Sequence, residues 1–309
     1  MNDSNAGASA TNLKILFHES ETDPDLRQVA TQSIETLIAR SVASTKRIRE
    51  EDAELAKLTD AMNAPVTRLI ENDPQAANAL GELRKRSLEA VPDTLLSNIS
   101  SDVKGGITIP NRGDLSPFTF AGRPPYNFSW SWHDPNGGAP FDMRTNPSIG
   151  YVGLIARSGS VDGGFSGFVN AHAGYGIILR ADHPRTVSVG GQIESAHRAH
   201  NMMAHGAGSN ATTEGGIECT ALEDGRLIMS SGFKWWRKRI SINETANDHE
   251  GPPVHIDMPK SDPRTFTMQP GRNYTFNIGL WVFSDRTPGV GVAAVNAVIE
   301  GNIALMWYS

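Results

Sequence analysis

Two short stretches carry residue types whose spacing could do chemistry. In "ESAHRAHNMMAH", Glu194, His197, His200 and His205 offer imidazole and carboxylate ligands. Read as a short helix, the stretch sets Glu194, His197 and His200 at i, i+3 and i+6, so successive pairs share a face. Such donors suit Zn or Fe, and a neighbouring strand could add His172. The spacing matches neither the HExxH zinc helix nor the paired-histidine pattern of metal-binding β-barrels. Its plainer reading is a solvated, histidine-rich helix or loop.

The second stretch is "KWWRKR", Lys234 to Arg239, with two large aromatics among four cations. As a strand it alternates, with Trp236, Ile240 and Ile242 on one face beside Lys234 and Lys238, and Trp235, Arg237 and Arg239 on the other. An exposed Trp235 flanked by Arg237 and Arg239 would offer a sugar ring, a lipid headgroup or a partner chain an apolar face and charge-assisted donors together. The competing reading has the arginine stems cover Trp235 while the cations protect a sheet edge from aggregation.

Elsewhere the chemistry is thinner. "WSWHDPNGGAPFD" holds Trp130, Trp132, His133, Asp134 and Asp142, but a His-Asp pair without a placed nucleophile is no triad, and the two tryptophans read as core. "RSGSVDGGFSG" does not form a nucleophile elbow, and "GVGVAA" lacks the strand-loop-helix context of a phosphate cradle. Cys219 is the single cysteine, which excludes an internal disulfide and any cysteine-rich zinc site.

The elements that must position these residues fall into two unlike parts. Of the 30 glycines, only Gly7 and Gly81 precede residue 100, and every Trp and Tyr follows it. Residues 1–22 read as a flexible leader. Residues 23–100 read as α-helical and a candidate oligomerisation region. Asp23-Pro24 gives a cap followed by a proline at the first helical position, and Asn72-Asp73-Pro74 repeats that signature. The apolar stripe of Leu26, Val29, Ile34, Leu37 and Ile38 fades between Ser41 and Glu54 and resumes at Leu55, Leu58 and Met62, which fits one helix with a solvated middle or two helices. Stripes this narrow need partners, and self-association would supply them.

Residues 101–309 show short apolar runs between glycine, proline and asparagine, the texture of an antiparallel β-sandwich, jelly-roll-like, of about ten strands. "LEDGRL" is its sharpest hairpin signal. A net charge of -6 speaks against a nucleic-acid partner. No apolar window has the length of a transmembrane segment, and the N-terminus lacks a signal-peptide core, so cytoplasmic synthesis is expected.

Together these features point to a non-enzymatic binding or assembly protein. Its sandwich would present an aromatic and cationic surface to a carbohydrate or protein surface ligand, and its helices would make a homo-oligomer. The alternatives are a metal-dependent jelly-roll enzyme using His197, His200 and His205, and a structural subunit of a larger particle or tail-like assembly. The compositional break places a boundary between Val91 and Ile107. On this division, limited proteolysis followed by mass spectrometry should show cuts there, or before Asp23, and leave a β-rich fragment that remains folded.

Overall fold

The structure, a computed structural model, describes residues 12–18, 23–89, 120–134, 136–137, 141–158, 167–206, 208–249, 253–258, 265–287 and 291–309. The expected boundary between Val91 and Ile107 lies outside them. The described residues include two helices in the N-terminal part of the chain. The Asp23 carboxylate accepts from the Asp25 backbone N–H at 2.9 Å, and the helix α1 runs unbroken from Pro24 to Glu71, so the polar middle does not divide it. Asp73 caps α2 (Pro74–Glu89) in the same way, accepting from Gln75 N at 2.8 Å.

The remainder of the described residues forms two antiparallel sheets. One orders β1 (Lys14–Phe17), β3 (Phe128–His133), β6 (Val169–Arg180), β14 (Asn273–Thr287), β8 (Asn210–Glu223) and β10 (Phe233–Ser241), with β9 (Arg226–Ser230) also on β8. The other orders β11 (Glu244–His249), β7 (Arg185–His205), β15 (Val292–Tyr308), β5 (Tyr151–Ser158) and β4 (Phe141–Asn146). On this second sheet β12 (Val254–Met258) and β13 (Thr265–Met268) pair with β7, and β2 (Phe120–Gly122) with β15. Alternating residues of both sheets, such as Ile217, Phe276, Ile278 and Leu280 against Leu154, Ile193, Met202 and Ile299, bury one shared core.

Three readings change. Lys14–Phe17, within the stretch read as a leader, is an edge strand paired with β3, and Ile15 and Phe17 pack on the cluster beneath α1. "IESAHRAHNMMAH" is not a helix. It lies within β7, which pairs along its length with β15 on one side and with β11, β12 and β13 on the other, and that two-sided ladder overrides the helical tendency of its alanines and methionines. The stripe expected at a self-assembly seam is divided: Ile34 and Leu37 are buried within the chain, Leu26 is half-buried there, and Leu58 is exposed.

That intramolecular burial is a second core on the far face of the seven-stranded sheet. Val29, Ala30, Ile34, Leu37 and Ile38 of α1 cover Phe128, Trp130, Trp132, Ile178 and Leu222. Trp130 lies flat because glycine stands beneath it, and a Cβ on Gly279 would come within 2.6 Å of its ring. Beyond Leu37 the contacts turn polar. Ser41 and Thr45 meet His172 and Asn170, Arg49 donates to Asp285 at 2.9 Å, and Asp52 accepts from Arg239. The polar middle of α1 is therefore a docking face matched to a polar strip of sheet. The sheet in turn relies on the helix, since a fragment starting near residue 105 would leave Trp130 and Trp132 uncovered. Leu37→Asp should unfold the chain rather than merely dissociate it. It loses the leucine's burial, about 2–5 kcal/mol, and adds a desolvated carboxylate. Urea denaturation read by circular dichroism should show a fall in midpoint of that scale.

Candidate functional site

The "KWWRKR" strand does not form the surface that strict alternation requires. A β-bulge falls between Lys234, opposite Gly216, and Trp236, opposite Gly215, and Trp235 is the extra residue. The bulge turns Lys234 and Trp236 to opposite faces. Trp236 is 7% exposed and enters the core over Gly215, with its ring stacked 6.2 Å from that of His200. Ile240 is buried as expected, whereas Ile242, just past the strand with φ of 22°, is exposed. Trp235 is half-buried against the edge of the core, beside the Arg198 guanidinium of the other sheet. Arg237 instead pairs with Glu214 at 2.9 Å, and Arg239 with Asp52 of α1. Trp235, Arg237 and Arg239 are thus separated, because the bulge breaks their common face and carboxylates claim both arginines.

The histidine set is dispersed for a related reason. On a strand, His197 and His200 project to opposite faces. His197 Nδ1 stands 3.8 Å from Glu300, while His200 is buried beside Trp236, where burial lowers its pKa. His205 ends the strand, and Glu194 lies opposite Asn302 next to Ser195 at φ 50°. Among the described residues no three His, Cys, Asp or Glu side chains converge as metal ligands. Asp142 pairs with Arg144, and Asp134 accepts from the Asn136 backbone N–H, so neither serves His133 in a triad.

What the fold does assemble is a cleft between α1 and the outer face of the seven-stranded sheet, with a volume of about 250 Å³. Its floor follows from strand register. Trp132 of β3 faces His172 of β6, His172 faces Trp281 of β14, Trp281 faces Gly216 of β8, and Gly216 faces Lys234 of β10. One row across five strands therefore reads Trp, His, Trp, Gly, Lys. The imidazole is stacked on Trp132 at 4.4 Å and 15°, with Trp281 on its other side at 6.2 Å and 20°. Gly216 leaves the far side of Trp281 without a side chain. Ser41, Ser44, Thr45 and Ile48 of α1 line the roof.

His172, 5% exposed, is held at every polar atom. Its Nδ1 lies 2.9 Å from Glu218 Oε1, and its Nε2 lies 3.0 Å from Ser41 Oγ and 3.0 Å from Asn170 Oδ1. The Asn170 amide also donates to Thr45 at 2.9 Å. Glu214, 1% exposed, meets Lys234 and Arg237 at the cleft's edge. Thr220 Oγ1, buried in the lining, has no hydrogen-bond partner among the described residues. Two carboxylates (Glu214, Glu218) against Lys234 and Arg40 leave the walls close to charge balance, which suits a neutral polar guest.

Ser41, His172 and Glu218 stand in the order of a serine hydrolase relay, but the helix that carries the serine offers it no oxyanion hole. Ser41 sits in mid-helix, where backbone N–H groups are committed to the preceding turn and cannot form an oxyanion hole. Its hydroxyl already accepts from Asn170 at 3.3 Å. The arrangement positions groups and fixes the helix.

In the sequence His172 stands out only as a spare ligand. The signal that could have found it is the outer face of β6, Asn170, His172, Gly174 and Gly176, polar then bare, opposite an inner face of Val169, Ala171, Ala173 and Tyr175. Such a face on a central strand has to be covered by aromatics and another element. The chain matches no protein-family model, and no curated protein matches it.

The two tryptophans of β10 separate the readings experimentally. Trp236→Ala should lose about 3–5 kcal/mol of stability, as for other buried aromatics. Trp235→Ala should lose less than half of that. Equal shifts in chemical denaturation would contradict the bulge.

Proposed function

We propose a non-enzymatic binding or assembly protein. In this reading its two sheets form a jelly-roll-like sandwich, the cleft beneath α1 receives a carbohydrate or other small polar surface ligand, and the helices promote self-association. The observation that carries the reading is the cleft wall. Trp281, half-buried, shows an aromatic face beside a bare glycine, with Glu218, Ser230 and the unpartnered Thr220 hydroxyl around it. An apolar ring face ringed by hydroxyl-compatible donors and acceptors is the chemistry of sugar recognition, where C–H groups stack and hydroxyls are hydrogen-bonded. The lack of backbone donors at Ser41 favours binding over turnover. A metal-dependent enzyme on His197, His200 and His205 is disfavoured by their divergent faces. A role as a structural subunit of a larger assembly draws on a different feature, the exposed apolar residues late in α1.

Titration of the full chain with neutral mono- and disaccharides, followed by tryptophan fluorescence and calorimetry, tests the proposal. Binding should occur, and Trp281→Ala should weaken it about tenfold or more, equivalent to about 1.4 kcal/mol, with folding intact by circular dichroism. Absence of binding across the panel at millimolar sugar, or binding indifferent to Trp281, would sink the cleft reading.

A further inference from the structure

One row across the outer face of the seven-stranded sheet turns from apolar to polar beside the cleft. Phe128 of β3 faces Gly176 of β6, Gly176 faces Asn277 of β14, Asn277 faces Thr220 of β8, and Thr220 faces Ser230 of β9. Ser230 is exposed and lines the cleft, Thr220 lines it at 3% exposure, and Asn277 lies behind Thr220 at 1%. Gly176 makes room for the amide, since a Cβ there would stand 2.7 Å from Asn277 Oδ1. Neither Asn277 Oδ1 nor Asn277 Nδ2 has a hydrogen-bond partner among the described residues, and the same holds for Thr220 Oγ1. Keeping an unpaired amide and an unpaired hydroxyl out of water costs the fold stability, so their place at the inner wall of a cleft calls for an occupant.

We infer that Asn277 and Thr220 form an inner subsite of the cleft for adjacent hydroxyls of a second sugar ring, beyond the ring that stacks on Trp281. The inference rests on the saccharide reading of the cleft and adds the length of the ligand and the residues that select it. Chemistry narrows the guest. An asparagine amide offers donors and an acceptor side by side. A carboxylate only accepts, so it would leave Oδ1 unmatched and bring a second negative charge towards Glu218. An ammonium only donates, so it would leave Nδ2 unmatched. Two neighbouring hydroxyls answer both, one accepting from Nδ2 and the next donating to Oδ1. Thr220 Oγ1, on the directly opposite residue of β8, takes a third contact. Spacing sets the ligand's size. Trp281 and Asn277 are four residues apart on β14, about 13 Å along the strand, and the Trp130 ring covers Gly279 between them. One pyranose ring does not span that distance, and a disaccharide does.

Apolar substitutions of similar shape test it, because Asn277→Leu and Thr220→Val remove the polar atoms with little change of volume. Calorimetric titration of the full chain with maltose, cellobiose and lactose should give binding about tenfold or more tighter than with glucose or galactose. Either substitution should remove that gain. The thermal midpoint of each variant should equal or exceed that of the wild type, since an unpaired buried polar group gives way to an apolar one. A structural role for the two side chains predicts the opposite shift. Disaccharide binding that depends on Trp281 yet is unchanged in Asn277→Leu and Thr220→Val would overturn the inner subsite alone and leave the saccharide reading standing. So would a midpoint clearly below that of the wild type in both variants. Absence of binding to every one of these sugars would overturn the subsite and the saccharide reading together.

Discussion

The structure depends on one piece of packing, the burial of Trp130 between α1 and the bare backbone of Gly174 and Gly279. A Cβ at either glycine would lie within 2.7 Å of the indole, so the ring can lie flat only where the sheet offers no side chain. Once it does, the outer face of the sheet is an apolar floor of Phe128, Trp130, Trp132 and Ile178 that water cannot be left to cover. The apolar turns of α1, Val29 to Ile38, close it. The helix is thereby oriented, and every later contact along it follows from that direction.

The cleft is a consequence of how this interface changes character. Up to Leu37 large apolar side chains fill the space between helix and sheet. From Ser41 the helix presents Ser41, Ser44 and Thr45 while the sheet presents Gly216 beside Trp281, so small groups face each other and a void is left. A void lined by leucines would destabilise the fold; this one is lined by groups that hydrogen-bond to one another, and His172 ties both walls together through Ser41 and Glu218. Stability and an open polar space coexist because the fastening contacts surround the cleft rather than fill it.

Features written in a few adjacent residues were legible in the sequence. Asp23-Pro24 and Asp73-Pro74 do start helices, and Asp224-Gly225, both with positive φ, forms the two-residue turn between β8 and β9 that "LEDGRL" implies. Features that depend on a distant partner were not. The faded stripe from Ser41 to Glu54 looked solvated because its partners, Asn170, His172, Asp285 and Arg239, lie more than a hundred residues away. Alternation failed at Trp235 because a bulge answers to the opposing strand, here the paired glycines Gly215 and Gly216. The histidines of β7 obeyed a two-residue period once strands flanked them on both sides. Nothing within "ESAHRAHNMMAH" announces those neighbours.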